Sequence, residues 1–339
     1  MRLKNLMFRG VSVTGVPILL ALILMLIIFQ WIVPVFNSTI NDYLTNLVPV
    51  LLLTIGVAIV IIGGSIDLSI GTVSGLSAGI TMWALASGVP TALSILLGVA
   101  TGALFGLING FLITRFGVSD FIVTLATLNI AGGLLIVLSQ ATDLSGADSP
   151  FFTSIVYGTI FGIPASLVIV AVIGLLIQFL LIKTILGRKI FAVGNSGAAA
   201  NVAGINVRNI RLSTFILSGT LAGCAGVLLA SRLGAVQAFL GLGYEFTAIA
   251  GAVVGGVSLA GGRGSAGAAL VGGLFLATLE QGLQLLGVDP VYFGIVNGLA
   301  LVIGVIFDRR IQAFGLLNSR FNLKTLTSKE TPLSEVDRG

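Results

Sequence analysis

Long apolar runs alternate with short polar stretches along almost the whole chain. Ten such runs can be drawn: Val16–Phe36, Leu44–Ile62, Ile70–Ala86, Thr91–Thr114, Phe121–Ser139, Ile163–Ile182, Leu212–Ser231, Phe246–Leu259, Ala266–Leu286 and Val291–Phe307. A bilayer core takes about 20 apolar residues of helix. Most of the runs reach that length, the eighth falls short of it, and Gly71, Gly75 and Gly79 interrupt the third. The pattern predicts an all-α polytopic membrane protein with about ten transmembrane helices. The basic N-terminus MRLKNLMFRG followed by an apolar run resembles a secretory leader. That run is long enough to span and no small-residue cleavage site follows it, so it reads as a retained first helix.

Between the sixth and seventh runs lies the longest polar connection, residues 183–211. It holds Lys183, Arg188, Lys189, Arg208 and Arg211 and no acid. Its centre, NSGAAANVAG, is small and modestly helical, too short and too polar to cross. It is expected to be a loop containing a short helix, held at the membrane surface and open to a soluble partner.

The positions of the charges orient the chain. Ten crossings starting from Arg2, Lys4 and Arg9 inside also place Arg115, residues 183–211, Arg263 and the tail from Asp308 inside. Residues 37–43 and 140–162 and the turn around Asp289, which contain no Lys or Arg, fall outside; only Arg232 breaks the rule. This is the positive-inside distribution, and it puts both termini in the cytoplasm. Residues 1–15 are then one tail, 16–307 the membrane domain with its loop at 183–211, and 308–339 a second tail. The outer side would present the polar stretch 140–162, with Asp143 and Asp148, and the glycine-containing stretch Leu233–Tyr244.

Composition agrees with a lipid solvent. Of 339 residues, 56% are hydrophobic and 9% charged, against roughly 25% charged in soluble domains, and the mean hydropathy is +1.14. The formal charge of +5 is accounted for by the cytoplasmic flanks, not by nucleic acid. With no His and one cysteine, Cys224, the chain can form no internal disulfide and no His/Cys zinc site. The 46 glycines suit helices whose backbones approach closely.

Few residues could carry chemistry. Asp67, in GGSIDLSIG, follows two glycines that break the helix; Asp67 or Ser69 reads as a cap for the next helix, with direct contact to a solute or gate as the other reading. Asp120 reads as an N-cap, and Glu245 as a cap and dipole partner at the start of the eighth run. Glu280, beside Gln281 and Gln284, faces a polar cavity or approaches the outer surface. Asn109, Thr124, Thr127 and Asn129 bond between helices or offer the weak, neutral contacts that a polyhydroxylated solute needs. There is no proton relay, no filter-like repeat, no HExxH and no glycine-rich phosphate loop ending in Lys-Ser/Thr. What remains is a membrane conduit driven from elsewhere.

Five stretches resemble the membrane permeases of bacterial ATP-binding-cassette importers for simple sugars, of the ribose, xylose and arabinose type, in the family's order. They are IDLSIG at Ile66–Gly71, DFIVTLATL at Asp120–Leu128, GRKIFAVGNSGAAANVAGINV at Gly187–Val207, the glycine-rich stretch Gly243–Gly273, and QGLQLLGV at Gln281–Val288. Ser65 stands where the family signature has its second glycine, and Phe246-Thr247 where Leu-Asp is common. The resemblance implies a transporter subunit and not an enzyme, multi-pass in the bacterial inner membrane. It would bind no cofactor or metal itself, ATP and Mg being used by separate ATPase subunits. A second permease copy or a paralogue, and a periplasmic or lipid-anchored sugar-binding protein, complete the implied assembly. ATPase coupling would fall to Gly187, Arg188, Gly194, Asn195, Ser196, Ala198, Ala199, Gly204 and Ile205. The translocation path would draw on Asp67, Ser69, Asn109, Thr124, Asn129, Glu245 and Glu280. A permease of the same superfamily for a branched-chain amino acid, nucleoside or sugar derivative is the alternative, and an ion-coupled secondary transporter the more distant one.

Overall fold

The computed structural model describes residues 15–32, 40–146 and 149–306. The two expected tails, apart from Gly15, and Asp148 of the expected outer loop lie outside the described residues. An apolar helix occupies each of the ten runs: α1 (Gly15–Ile32), α2 (Ile40–Ile62), α3 (Ile70–Ala86), α4 (Thr91–Phe116), α5 (Asp120–Ser139), α7 (Ala165–Lys183), α10 (Val207–Leu233), α11 (Tyr244–Val254), α12 (Ala266–Leu285) and α13 (residues 293–306, after a 3-10 turn at Pro290–Tyr292). Three shorter helices complete the set: α6 (Pro150–Tyr157), α8 (Ile185–Asn195) and α9 (Gly197–Val202). Six of the helices (α2, α4, α5, α7, α10 and α12) are long and apolar enough to cross a membrane; α1, α3, α11 and α13 are shorter.

The helices pack around α2. It touches α10, α12, α11 and α7, and 94% of its apolar stretch is buried. A helix apolar on every side belongs in such a place. Pro49 lies inside it, and Gly63 and Gly64 end it, Gly64 at φ +80, the left-handed geometry a helix terminus favours.

The closest seam joins α4 to α10. Gly98, Gly102, Gly106 and Gly110 recur every four residues and so line one face of α4. A Cβ on Gly102 would overlap Gly219 O, and one on Gly219 would overlap Gly102 O. Without side chains there, the two backbones meet directly, as small residues permit in membranes.

The fold departs from the sequence reading in four places. The connection 183–211 holds two helices, α8 and α9, and α10 already begins at Val207, so Arg208 and Arg211 sit in its first two turns. Gly187, Ile190 and Val193 of α8 are buried at three-residue spacing, which is why this basic stretch is helical and seated. The eighth helix, α11, stops at Val254, five residues early, because Gly255 and Gly256 follow with Gly256 at φ +105. The stretch 140–162, read as a polar loop, contains α6; Ser149 caps it by accepting from Phe152 N, and Pro150 sits in its first turn. The chain is mostly, not wholly, helical: β1 (Leu144–Ser145) pairs antiparallel with β4 (Ala235–Val236), and β2 (Thr159–Ile160) with β3 (Ile163–Pro164).

These pairings sort the connections by end. β1–β4 joins the stretch after α5 to the one after α10, and Tyr157 OH donates to Arg232 O at 3.1 Å. At the other end, Gly262 N donates to Ile62 O at 2.9 Å and Ile66 N to Asp120 Oδ2 at 3.0 Å. Arg115, Lys183, Arg188, Lys189, Arg208, Arg211 and Arg263 all belong to this second end; among the described residues only Arg232 belongs to the first.

Candidate translocation and coupling sites

The turn 63–69 carries the first site. Asp67 Oδ1 accepts from Ser69 N at 3.0 Å and Ser69 Oγ at 2.7 Å, and Oδ2 accepts from Ser218 Oγ of α10 at 2.9 Å. Asn109 Nδ2 of α4 donates to Ser69 Oγ at 2.9 Å, and Thr127 Oγ1 of α5 donates to Asn109 Oδ1 at 2.5 Å. This hydrogen-bonded chain crosses four elements, and its five side chains are 0–4% exposed. Asp67 therefore caps the mouth of α3 through Ser69 N, whereas the Ser69 side chain relays and makes no cap bond. Buried polar groups satisfied in this way fix the arrangement of the helices around them, since leaving one unpaired costs about 1–3 kcal/mol. Asp120 is not the N-cap expected from the sequence: Ser119 holds that position and Asp120 is the first helical residue, where its Oδ1 accepts from Phe121 N and its Oδ2 from Ile66 N of the neighbouring turn.

The other residues expected along a path lie apart from this chain. Thr124 is fully buried and bonds to Asp120 O. Glu245 is buried, accepts from Gly243 N and packs its carboxylate on Gly71, where any Cβ would collide. Glu280 Oε1 accepts from Thr247 Oγ1 at 3.0 Å and Asn297 Nδ2 at 2.7 Å, tying α12 to α11 and α13. Asn46 to Gln281 and Tyr43 to Thr278 tie the same end of α12 to α2. Asn129 is exposed. Ser218 and Asn297 were not singled out in the sequence; each sits among apolar residues and gains its role from a partner distant in the chain.

The second site is the connection 184–206. Thr184 caps α8 by accepting from Gly187 N at 3.1 Å, and a Cβ on Gly187 would overlap the Leu180 and Leu181 carbonyls. At the far end of α8, a Cβ on Gly194 would overlap Ile62 O and lie 2.6 Å from Gly262 N, while a Cβ on Gly64 or Gly261 would in turn meet Gly194. The backbones of α2, α8 and the turn 258–264 thus meet at one glycine junction. Beyond it, Ser196 caps α9 by accepting from Ala199 N at 3.2 Å. Arg188, Asn195, Ser196, Ala198, Ala199 and Gly204 are exposed, Ile205 is half-buried, and Val202 is 91% exposed. Asn195 ends α8 and does not open α9.

Packed apolar helices held by internal polar contacts, with a small exposed knuckle at the basic end, define a multi-pass membrane protein of the permease class. Residues 39–305 match the family described as "Branched-chain amino acid transport system / permease component", and the chain belongs to that family. It is 36% identical over 313 residues to the ribose import permease protein RbsC of Bacillus subtilis, covering 91% of this chain and 97% of that one. The D-allose transport system permease protein AlsC of Escherichia coli is 36% identical over 262 residues, covering 77% and 80%. The L-arabinose transport system permease protein AraH of the same organism is 35% identical over 261 residues, covering 76% and 78%. The chain is accordingly a transporter subunit and not an enzyme.

Proposed function

We propose that this chain is the membrane-spanning subunit of an ATP-driven importer for a monosaccharide. The observation that carries this reading is its likeness, along 91% of its length, to a ribose import permease, with allose and arabinose permeases beside it. In this reading all ten apolar helices cross, the basic end of the bundle is cytoplasmic, the β1–β4 end faces outward, and the membrane is the bacterial inner membrane. Residues 1–15 and 308–339 are cytoplasmic tails. The gathering of seven basic residues at one end supports this orientation.

Separate ATPase subunits dock beneath and use ATP and Mg. Gly187, Arg188, Gly194, Asn195, Ser196, Ala198, Ala199, Gly204 and Ile205 form the coupling element. Val202, apolar and almost wholly exposed at its tip, supports that role, because a side chain of this kind gains from burial in a partner's groove. A second permease, a copy or a paralogue, completes the conduit, and a periplasmic or lipid-anchored binding protein delivers the sugar to the β1–β4 end.

The test is uptake into proteoliposomes holding the chain with its co-expressed ATPase and binding protein. ATP-dependent accumulation of radiolabelled ribose, allose or arabinose, competed by unlabelled sugar and not by leucine, is the expected result. Accumulation of leucine alone, or sugar uptake driven by a proton or sodium gradient without the ATPase, would overturn it.

A further inference from the structure

The stretch 234–243, between α10 and α11, lies directly on α3. A Cβ on Gly75 would overlap Leu240 O, one on Gly71 would meet Gly241 O at 2.5 Å, and β4 is paired to β1. Its backbone is therefore fixed from two sides. Phe239 and Leu242 nevertheless project from it, 70% and 58% exposed. They border a cavity of about 270 Å³ whose remaining wall includes Thr72 of α3 and Asn129, Gly132 and Gly133 of α5.

One observation argues against hydrocarbon as the occupant. Asn129 sits at the middle of the 20-residue helix α5 and is exposed; an amide facing lipid at that depth is costly. Its Nδ2 donates to Leu125 O at 2.8 Å, which holds the amide in place and keeps its oxygen and second N–H for another partner. Beside it the helix is bare: nothing lies within 4 Å of a Cβ on Gly133, and only Thr72 Cγ2, at 3.9 Å, within reach of one on Gly132. No ionisable side chain lines the cavity, so it suits a neutral molecule. The space corresponds to about nine waters at ~30 Å³ each, room enough for one sugar ring.

We propose that this cavity is a transit site for a single monosaccharide. The Phe239 ring takes the sugar's C–H face against its electron-rich surface, while Asn129 meets a hydroxyl and the Thr72 methyl, its own hydroxyl engaged with Ser69 O, closes the wall. One ring and one neutral amide hold a sugar weakly, which lets it leave. The proposal rests on the reading of the chain as a sugar importer and adds the residues and the contact chemistry.

The experiment compares the complete reconstituted complex with Phe239→Ala, Phe239→Leu and Phe239→Trp, reading ribose uptake, with Asn129→Leu as an independent second wall. Phe239→Ala is expected to slow uptake about three- to tenfold, the worth of one aromatic contact. Trp should restore the rate and Leu should not; Asn129→Leu should slow it as well. Recovery by Leu would mean that the ring only fills space, and would overturn the proposal, as would unchanged uptake in Phe239→Ala and Asn129→Leu. Loss of the paired permease on purification of Phe239→Ala would make the cavity a subunit seam and would likewise overturn it. Wild-type uptake is measured first: a complex that carries no sugar defeats the importer reading itself, whereas sugar uptake indifferent to Phe239 and Asn129 defeats only the transit site.

Discussion

The two ends of the α8–α9 connection differ in what surrounds them. At Gly194 three backbones touch, and no atom can be added without displacing Ile62 O or Gly262 N. A few residues on, at Val202 and Gly204, the chain stands free: Val202 is 91% exposed and a Cβ on Gly204 meets nothing within 4 Å. One end is sealed to the central helix and the other open to a partner. If the knuckle is the coupling element proposed above, a force applied there would reach α2 largely through backbone contact at Gly194.

Gly194→Val should have the largest effect. Overpacking a tight site costs typically 1–3 kcal/mol and sometimes more; because the obstruction here is backbone, uptake should vanish and the yield of folded protein fall, read by size-exclusion chromatography in detergent. Val202→Asp should separate the two ends: the protein folds and inserts normally, but co-purification of the ATPase and ATP-driven uptake are lost. Asp67→Ala, which strips partners from Ser69 and Ser218, should cost about 1–3 kcal/mol, seen as a lower thermal transition with sugar preference unchanged; Asp67→Asn should cost less, since the amide can still pair with both hydroxyls. Gly204→Ala should be smallest. Its φ of +78 makes a side chain unfavourable by about 1–2 kcal/mol, but in open space, so insertion is normal and only ATPase coupling weakens. Equal losses of fold from Val202→Asp and Gly194→Val would erase the distinction between sealed and open ends.

Much of the helical layout was legible because apolar length is a direct consequence of the bilayer: α3 runs from Ile70 to Ala86 as expected, and α2 ends at Ile62, before the Gly-Gly pair. Glycine abundance pointed to close helix approach in general, but not to the four-residue row Gly98, Gly102, Gly106 and Gly110 or to α10 as its partner. The internal chain from Ser218 to Thr127 was not legible. Asp67 and Asn109 stand out as polar residues in apolar surroundings, but their pairing depends on which helices meet, and Ser218 looks like any small residue in a membrane helix. Helix α8 was hidden for a different reason: its basic residues read as loop, while its seat is set by Gly187, Ile190 and Val193 packing against neighbours remote in sequence. Phe239 gave no sign at all, because exposure is a property of the assembled surface.

Pro49 interrupts the backbone ladder of the most deeply buried of the six long helices. Between it and the glycine pair the helix is a rigid rod about 20 Å long, at ~1.5 Å per residue. A hinge of about five degrees at Pro49 would swing the far tip by about 2 Å over that length, enough to shift the Asp67 turn and the glycine contacts together while the opposite end stays still. With such a hinge α2 would act as a lever whose fulcrum the proline has already cut.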